Sequence, residues 1–114
     1  MYKGPNGDQP VGYWPRSLFT ALTSSASRID IGGEVVFNKD DPSPPPMGSG
    51  HFPAEGQNKA VYVKDILFVD QDGILYKPNG DAFDLTADRR ECYDIGGSDP
   101  TDTFYFGGPG GCKI

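Results

Sequence analysis

Glycine and proline occur so often along this chain that they limit the length of any helix or strand. The 114 residues include 16 glycines and 11 prolines. Glycine inside an element costs backbone entropy and proline removes a backbone donor, so both residues favour turns. With a hydrophobic content of 36%, the composition favours many short strands over a helical bundle. A chain of this length is expected to fold as one domain with a small core.

The charge and the first residues limit the partners of the chain. A formal net charge of -6 leaves no basic stripe for phosphates, so we expect no nucleic-acid partner. No window approaches the length of an apolar membrane span, so we expect no membrane partner. The opening MYKGPNGDQP lacks the basic and apolar regions of a signal peptide. The protein is therefore expected to be cytosolic, or its true beginning is missing.

The apolar spacing predicts one helix and several strands. Pro15 can open a helix, and Leu18, Phe19, Leu22 and Ala26 follow at helical spacing. The residues VVF after the glutamate of GGEVV predict a strand that ends at residue 38, before the polar, proline-rich loop NKDDPSPPP. The class that results is mostly antiparallel β with one short helix.

The clearest strand signal is KAVYVKDILFVDQDGILYKP, where Asp72 and Gly73 predict the turn of a hairpin. Asp70 and Asp72 also resemble the start of a calcium loop, but no acid closes it, so the EF-hand pattern fails. The stretch TFYFGGPGGC predicts a last strand followed by a glycine-rich loop.

Most catalytic motifs are missing from the sequence. A single histidine, His51, excludes a multi-histidine zinc site, and no glycine pattern opens a helix for a nucleotide. Ser49 and His51 are close in sequence, but structural use of both is the preferred interpretation. We expect no cofactor and no metal. Cys92 and Cys112 are compatible either with a disulfide or with two reduced thiols.

Several motifs together resemble the C-terminal part of the neprosin family of plant proteins. They are VGYWPRSLF, ASRIDIGGEVV, MGSGHFPAEG, KAVYVKDILFVD, and CYDI followed by FYFGGPG and the last cysteine. The resemblance runs from Val11 to Cys112, with residues 1–10 as a poorly structured remnant and 11–114 as part of the catalytic domain. It implies an antiparallel β-sandwich, here incomplete, and a glutamic peptidase that cleaves proline-containing peptides or proteins after proline at acidic pH.

Carried over by motif, Glu34 corresponds to one of the family's two catalytic glutamates. One carboxylate must deprotonate water while a protonated partner donates to the scissile group. The resemblance places that second glutamate upstream of this chain, because neither Glu55 nor Glu91 falls at its position. The chain alone is therefore expected to be inactive. Two departures concern the site: Ile31 stands where the family usually has Trp, and a Thr-Gln pair is replaced by prolines at 45 and 46.

The resemblance also bears on the cysteines, the location and the alternative role. It implies that Cys92 and Cys112 form a disulfide and that the full-length protein is secreted or vacuolar. Strand edges left uncovered by an incomplete sandwich would favour self-association. The alternative is a truncated, non-catalytic β-sandwich remnant that acts as a binding or structural module.

Overall fold

The structure is a computed structural model and describes residues 2–3, 10–99 and 103–113. The chain divides into two units, Met1–Asp30 and Ile31–Ile114. Residues 1 and 4–9 of the predicted N-terminal remnant lie outside the described residues, and its boundary after residue 10 stays a prediction.

The first unit contains one small antiparallel pair of strands and one short 3-10 turn. Strand β1, Tyr2–Lys3, pairs with β2, Pro10–Gly12. The 3-10 turn Arg16–Leu18 follows Pro15. Turns and bends, rather than a helix, then continue through residue 24.

The predicted helix over residues 15–26 is therefore wrong beyond its first turn. Leu18 and Leu22 keep 65% and 50% of their surface exposed, so no apolar face of a helix is buried here. A short helix is marginal without such packing, and the serines and threonines of this stretch compete for its backbone groups. Pro15 is therefore followed only by the 3-10 turn Arg16–Leu18 and not by the longer helix that it was expected to begin.

The described residues of the second unit form five short strands and two 3-10 turns. Two 3-10 turns cover Pro53–Glu55 and Gly80–Ala82. The strands are β3 (Val61–Val63), β4 (Phe68–Val69), β5 (Leu75–Tyr76), β6 (Asp94–Asp99) and β7 (Thr103–Gly107). All described pairings are antiparallel, which confirms the predicted mostly β class. The strands form separate small sheets, and their assembly into a sandwich stays a prediction.

Strand β7 lies between β3 and β6 and provides two of the four buried hydrophobic side chains among the described residues. Phe104 and Tyr105 are each only 8% exposed. Tyr62 lies opposite Tyr105 in the register, and their ring centroids are 6.1 Å apart in an edge-to-face arrangement. Cross-strand aromatic pairs of this kind stabilise a sheet beyond the area that they bury. The central strand thus combines main-chain pairing on both edges with the two buried aromatic residues of the core.

The predicted hairpin around Asp72 and Gly73 is confirmed as β4 and β5. Oδ1 of Asp70 accepts hydrogen bonds from the backbone N–H groups of Asp72 and Ile74, at 2.9 and 2.8 Å. Gly73 has a φ of 78°, which a residue with a side chain rarely adopts. The aspartate at the start of the turn therefore closes the loop by capping its backbone donors.

The predicted strand from Glu34 to Asn38 is wrong. Residues 34–38 have no strand partner within the part of the chain that the structure describes. Val36 is 84% exposed, and Val35 and Phe37 beside it are only half-buried, so the segment has no fully buried face. Short apolar runs form strands only where a neighbouring edge and a core receive them.

Cys92 and Cys112 form the disulfide that the resemblance implied. Their Cα atoms are 5.4 Å apart, which is within the usual range for a bridge. Cys92 is only 1% exposed, and its N–H donates to the carbonyl of Arg89 at 3.0 Å. The bridge connects the segment just before β6 with the segment that follows β7.

We expect reduction of this bridge to raise the intact mass by two hydrogens and to destabilise the fold. Its 20-residue separation corresponds to about 3 kcal/mol in the chain-entropy model. Mass spectrometry before and after reduction, with urea unfolding of the Cys92→Ser, Cys112→Ser double variant, checks both effects. Alkylation of two thiols in the unreduced protein would contradict the pairing.

Candidate functional site

The predicted catalytic residue, Glu34, lies in an irregular segment that runs past strand β7. Its side chain is exposed, and no residue in the described part of the chain gives its carboxylate a hydrogen bond or an ion pair. The carboxylate is therefore open to solvent and to any ligand that reaches this side of the sheet.

Gly33, the residue before Glu34, accounts for the close approach of this segment to β7. A Cβ on Gly33 would lie 2.7 Å from Cε2 of Phe106 and 2.8 Å from Sδ of Met47. Such distances are far inside van der Waals contact, so the backbone comes this close only because the side chain is missing. Gly33 thus lets the chain lie directly against Phe106 of β7, immediately before Glu34.

The MGSG segment is joined to the end of β7 by two main-chain hydrogen bonds. Met47 N–H donates to the Gly108 carbonyl at 3.0 Å, and Gly108 N–H donates back to the Met47 carbonyl at 3.3 Å. Gly48 has a φ of 65°, and a Cβ there would approach Cγ2 of Val61 to 2.7 Å. Two motifs far apart in sequence, MGSG and GGPG, are therefore adjacent in the fold.

His51 pairs with Glu55 across the 3-10 turn Pro53–Glu55. Nδ1 of His51 lies 3.0 and 3.1 Å from the two carboxylate oxygens of Glu55. An ionised carboxylate only accepts, so Nδ1 carries the proton in this contact. Oε2 of Glu55 also accepts from Phe52 N–H at 2.9 Å, and Lys59 Nζ lies 3.8 Å from Oε1. Glu55 therefore caps the turn and orients the imidazole.

These contacts lower the pKa of Glu55 below its ordinary value. The hydrogen bond from His51 has the largest effect, followed by the backbone donor of Phe52 and the positive charges of His51 and Lys59. The carboxylate is exposed, and both of its oxygens accept hydrogen bonds. Glu55 therefore has a structural role in the turn and is not suited to donate a proton as a catalytic acid.

Sequence reasoning assigned Glu55 no function and missed its pairing with His51. A helix-start signal was present, since proline at the first turn position is followed two residues later by glutamate. Ser49, in contrast, makes no hydrogen bond to His51 among the described residues. His51 thus has a structural partner in Glu55, whereas no hydrogen bond among the described residues supports a nucleophile–base pair of Ser49 and His51.

The proline run is held against the glycine-rich loop that follows β7. Pro44 is buried, and its carbonyl accepts from Gly111 N–H at 2.9 Å. The Pro45 carbonyl accepts from the Tyr93 hydroxyl at 2.6 Å. Gly110, with a φ of 69°, faces the same two carbonyls and has no room for a Cβ. These hydrogen bonds order a stretch that its composition alone would leave as a flexible loop.

Glu91, Cys92 and Cys112 bring three donor atoms within 4.8 Å of one another. Both sulfurs are bonded to each other in the disulfide, so neither is a thiolate. Because a thiolate is the form of cysteine that binds metal ions, this cluster does not offer a metal site while the bridge is intact.

Comparison with known proteins identifies one family for nearly the whole chain. The family model described as Neprosin matches residues 2–109. No solved structure matches the chain. Within the described residues, none of the helices has the length and apolar character needed to cross a membrane.

Replacement of Gly33 by alanine should destabilise the second unit by about 1–3 kcal/mol, because the new methyl group collides with Phe106 and Met47. Gly32 is the matched control, since a Cβ there meets nothing within 4 Å. Urea unfolding of Gly33→Ala and Gly32→Ala compares the two. Equal stability of both variants would contradict the close contact before Glu34.

Glu55 should titrate below its ordinary pKa, and His51→Ala should raise that pKa more than Lys59→Ala does. Because the folded-state pKa is lowered, the stabilisation is present above the unfolded pKa and is lost as the pH falls through the folded pKa. Carbon-13 NMR of the side-chain carboxyl measures this titration. A larger effect of Lys59→Ala would argue against His51 as the main partner.

Proposed function

Because the chain belongs to the neprosin family, we propose that it forms part of a glutamic endopeptidase that cleaves peptide bonds after proline at acidic pH. Glu34 is the catalytic carboxylate that this chain supplies. The observation that carries the proposal is the placement of Glu34, with an exposed carboxylate directly after a glycine packed against β7. Such a residue can meet an extended substrate while its backbone stays fixed.

The reaction needs two carboxylates in different protonation states. An ionised carboxylate takes a proton from the water that attacks the scissile carbonyl, and a protonated one donates to the carbonyl oxygen or the leaving nitrogen. Two acids close together favour this division, because the charge of the first raises the pKa of the second. We propose that a glutamate from an upstream part of a longer form completes the pair with Glu34.

The use of the other two glutamates supports this assignment. Glu55 is paired with His51 and caps its own turn. Glu91 has Arg89 within 3.7 Å and lies beside the disulfide. Glu34 is the glutamate left without such a structural task among the described residues.

The disulfide supports the proposed location of the protein. Disulfides persist in oxidising compartments and are rare in the cytosol. A secreted or vacuolar protein is therefore the form that we propose, and proline-containing peptides or proteins are its substrates. An acidic net charge of -6 at neutral pH would decrease as carboxylates protonate in an acidic compartment.

A non-catalytic module is the second candidate, and the exposed apolar side chains of the second unit favour it. On the hairpin, Val69, Ile74 and Tyr76 are 52%, 60% and 48% exposed. A surface of this kind is typical of proteins that associate with another protein. In this alternative the chain contributes a binding or structural surface, including self-association, and Glu34 has no catalytic function.

A cleavage assay with a proline-containing peptide at acidic pH separates the two candidates. The 114-residue chain alone should cleave no faster than its Glu34→Gln variant, since each positioned acid or base contributes about 10²–10⁴-fold. An upstream-extended form that carries the second glutamate should cleave the peptide and lose activity on Glu34→Gln. Glu55→Gln in the extended form is the control and should retain cleavage.

Two results would contradict the proposal. Glu34-dependent cleavage by the chain alone would mean that the second carboxylate lies within it or comes from a second copy. An extended form that is folded but inactive would favour the non-catalytic module, with Ile31 and the prolines at 45 and 46 as the first positions to revert.

A further inference from the structure

We propose that the Pro42–Ser43 peptide bond is a proteolytic processing site of the folded chain, cut by a post-proline endopeptidase. The enzyme class rests on the proposed function, but the choice of bond comes from the chain's own prolines. Pro42 and Ser43 are both exposed. No hydrogen bond from any described residue reaches the backbone of either one.

A protease binds its substrate as an extended backbone, so a cleavable bond must be accessible and free of internal hydrogen bonds. Around Pro42 the hydrogen bonds are purely local. Asp41 N–H donates to the Asn38 carbonyl at 3.1 Å, and Asn38 N–H donates to a carboxylate oxygen of Asp41 at 3.1 Å. Opening this short turn disturbs no strand and no buried side chain.

The next prolines in the same run are protected. The Pro44 carbonyl is bonded to Gly111, and that of Pro45 to Tyr93. The residue after the last proline of the run is bonded on both its N–H and its carbonyl to the end of β7. In addition, bonds followed by proline lack the amide N–H that a peptide substrate ordinarily presents.

Prolines elsewhere in the described chain are protected in other ways. Pro10 lies in β2, where it is paired with β1. Pro15 and Pro53 begin 3-10 turns, and their carbonyls accept from Leu18 and Gly56, both at 3.0 Å. A protease would have to unwind each of these elements first.

The last two described prolines combine partial burial with a bonded neighbour. Pro78 is half-buried. Pro109 is exposed, but Gly110 after it is half-buried and donates its N–H to the Cys92 carbonyl at 3.4 Å. Among the bonds that follow a proline in the described residues, only Pro42–Ser43 joins two exposed residues that have no hydrogen bonds of their own.

Hydrolysis at this bond has a defined consequence for the site. The oxygen of water bonds to the Pro42 carbonyl carbon, the C–N bond breaks, and the Ser43 nitrogen takes a proton to become a free amine. The products are residues 1–42, with Glu34, and residues 43–114, with both cysteines. Because the disulfide lies wholly in the second product, the carboxylate is retained only by non-covalent contacts such as that of Gly33 with Phe106.

Limited proteolysis of the unreduced 114-residue chain tests the proposal. The probe is a post-proline endopeptidase of an unrelated catalytic class, used briefly at a low ratio, with intact-mass detection. The first products should be residues 1–42 and 43–114, and Pro42→Ala should slow their formation roughly tenfold or more. Pro78→Ala is the matched control and should leave the rate unchanged. The urea-unfolded, reduced chain should instead be cut after several prolines.

A first cut at any other proline, or the same rate for Pro42→Ala, would overturn the proposal. The upstream-extended form of this protein, with and without Glu34→Gln, is then used in place of the probe at acidic pH. If the unrelated enzyme cuts after Pro42 and the extended form does not, the processing site stands and the proposed activity fails. If the extended form cleaves peptides but the unrelated enzyme spares Pro42, the activity stands and this inference fails.

Discussion

The close approach of backbone at the end of β7 is the constraint on which the second unit depends. Gly107 has a φ of 131°, and a Cβ there would lie 2.9 Å from the Met47 carbonyl oxygen. A side chain at Gly108 would collide with the carbonyl of Cys92. Because both positions are glycine, the strand end packs directly on the backbone that leads to His51 and on the disulfide. Two separate parts of the sequence, the segment from Met47 to His51 and the backbone at Cys92, thereby pack against one strand end.

The parts of the fold that the sequence predicted are those with local signals. The β4–β5 hairpin follows from an Asp-Gly turn whose first aspartate, Asp70, caps the loop within four residues. The helix after Pro15 and the strand after Glu34 were wrong because each needed a packing partner that the pattern itself does not contain. The side chains of Leu22 and Val36 are both exposed in the structure, so the apolar periodicity at these positions did not produce a helix or a strand.

The candidate site was predictable only in its residue types. Motif resemblance selected Glu34, but the reason for its placement, the missing side chain at Gly33, depends on Phe106 more than 70 residues later in the chain. The pairing of His51 with Glu55 was easier to predict from the sequence, because the two residues span one turn whose start has a recognisable signal. A contact between residues far apart in sequence that depends on a missing side chain leaves no pattern in the sequence. A capped turn, in contrast, has a local sequence signal.

Catalysis and processing place opposite demands on the segment that contains Glu34. Catalysis needs the carboxylate held in one place, and the contact of Gly33 with Phe106 provides this without any help from the loop that follows. That loop is anchored again only at Pro44, where Gly111 donates to its carbonyl. Since the hydrogen bonds between these anchors are local, the connection can be cut or lengthened while both anchors persist. After such a cut, retention of Glu34 beside β7 therefore depends on packing contacts such as those of Gly33 with Phe106 and Met47 rather than on the continuity of the chain.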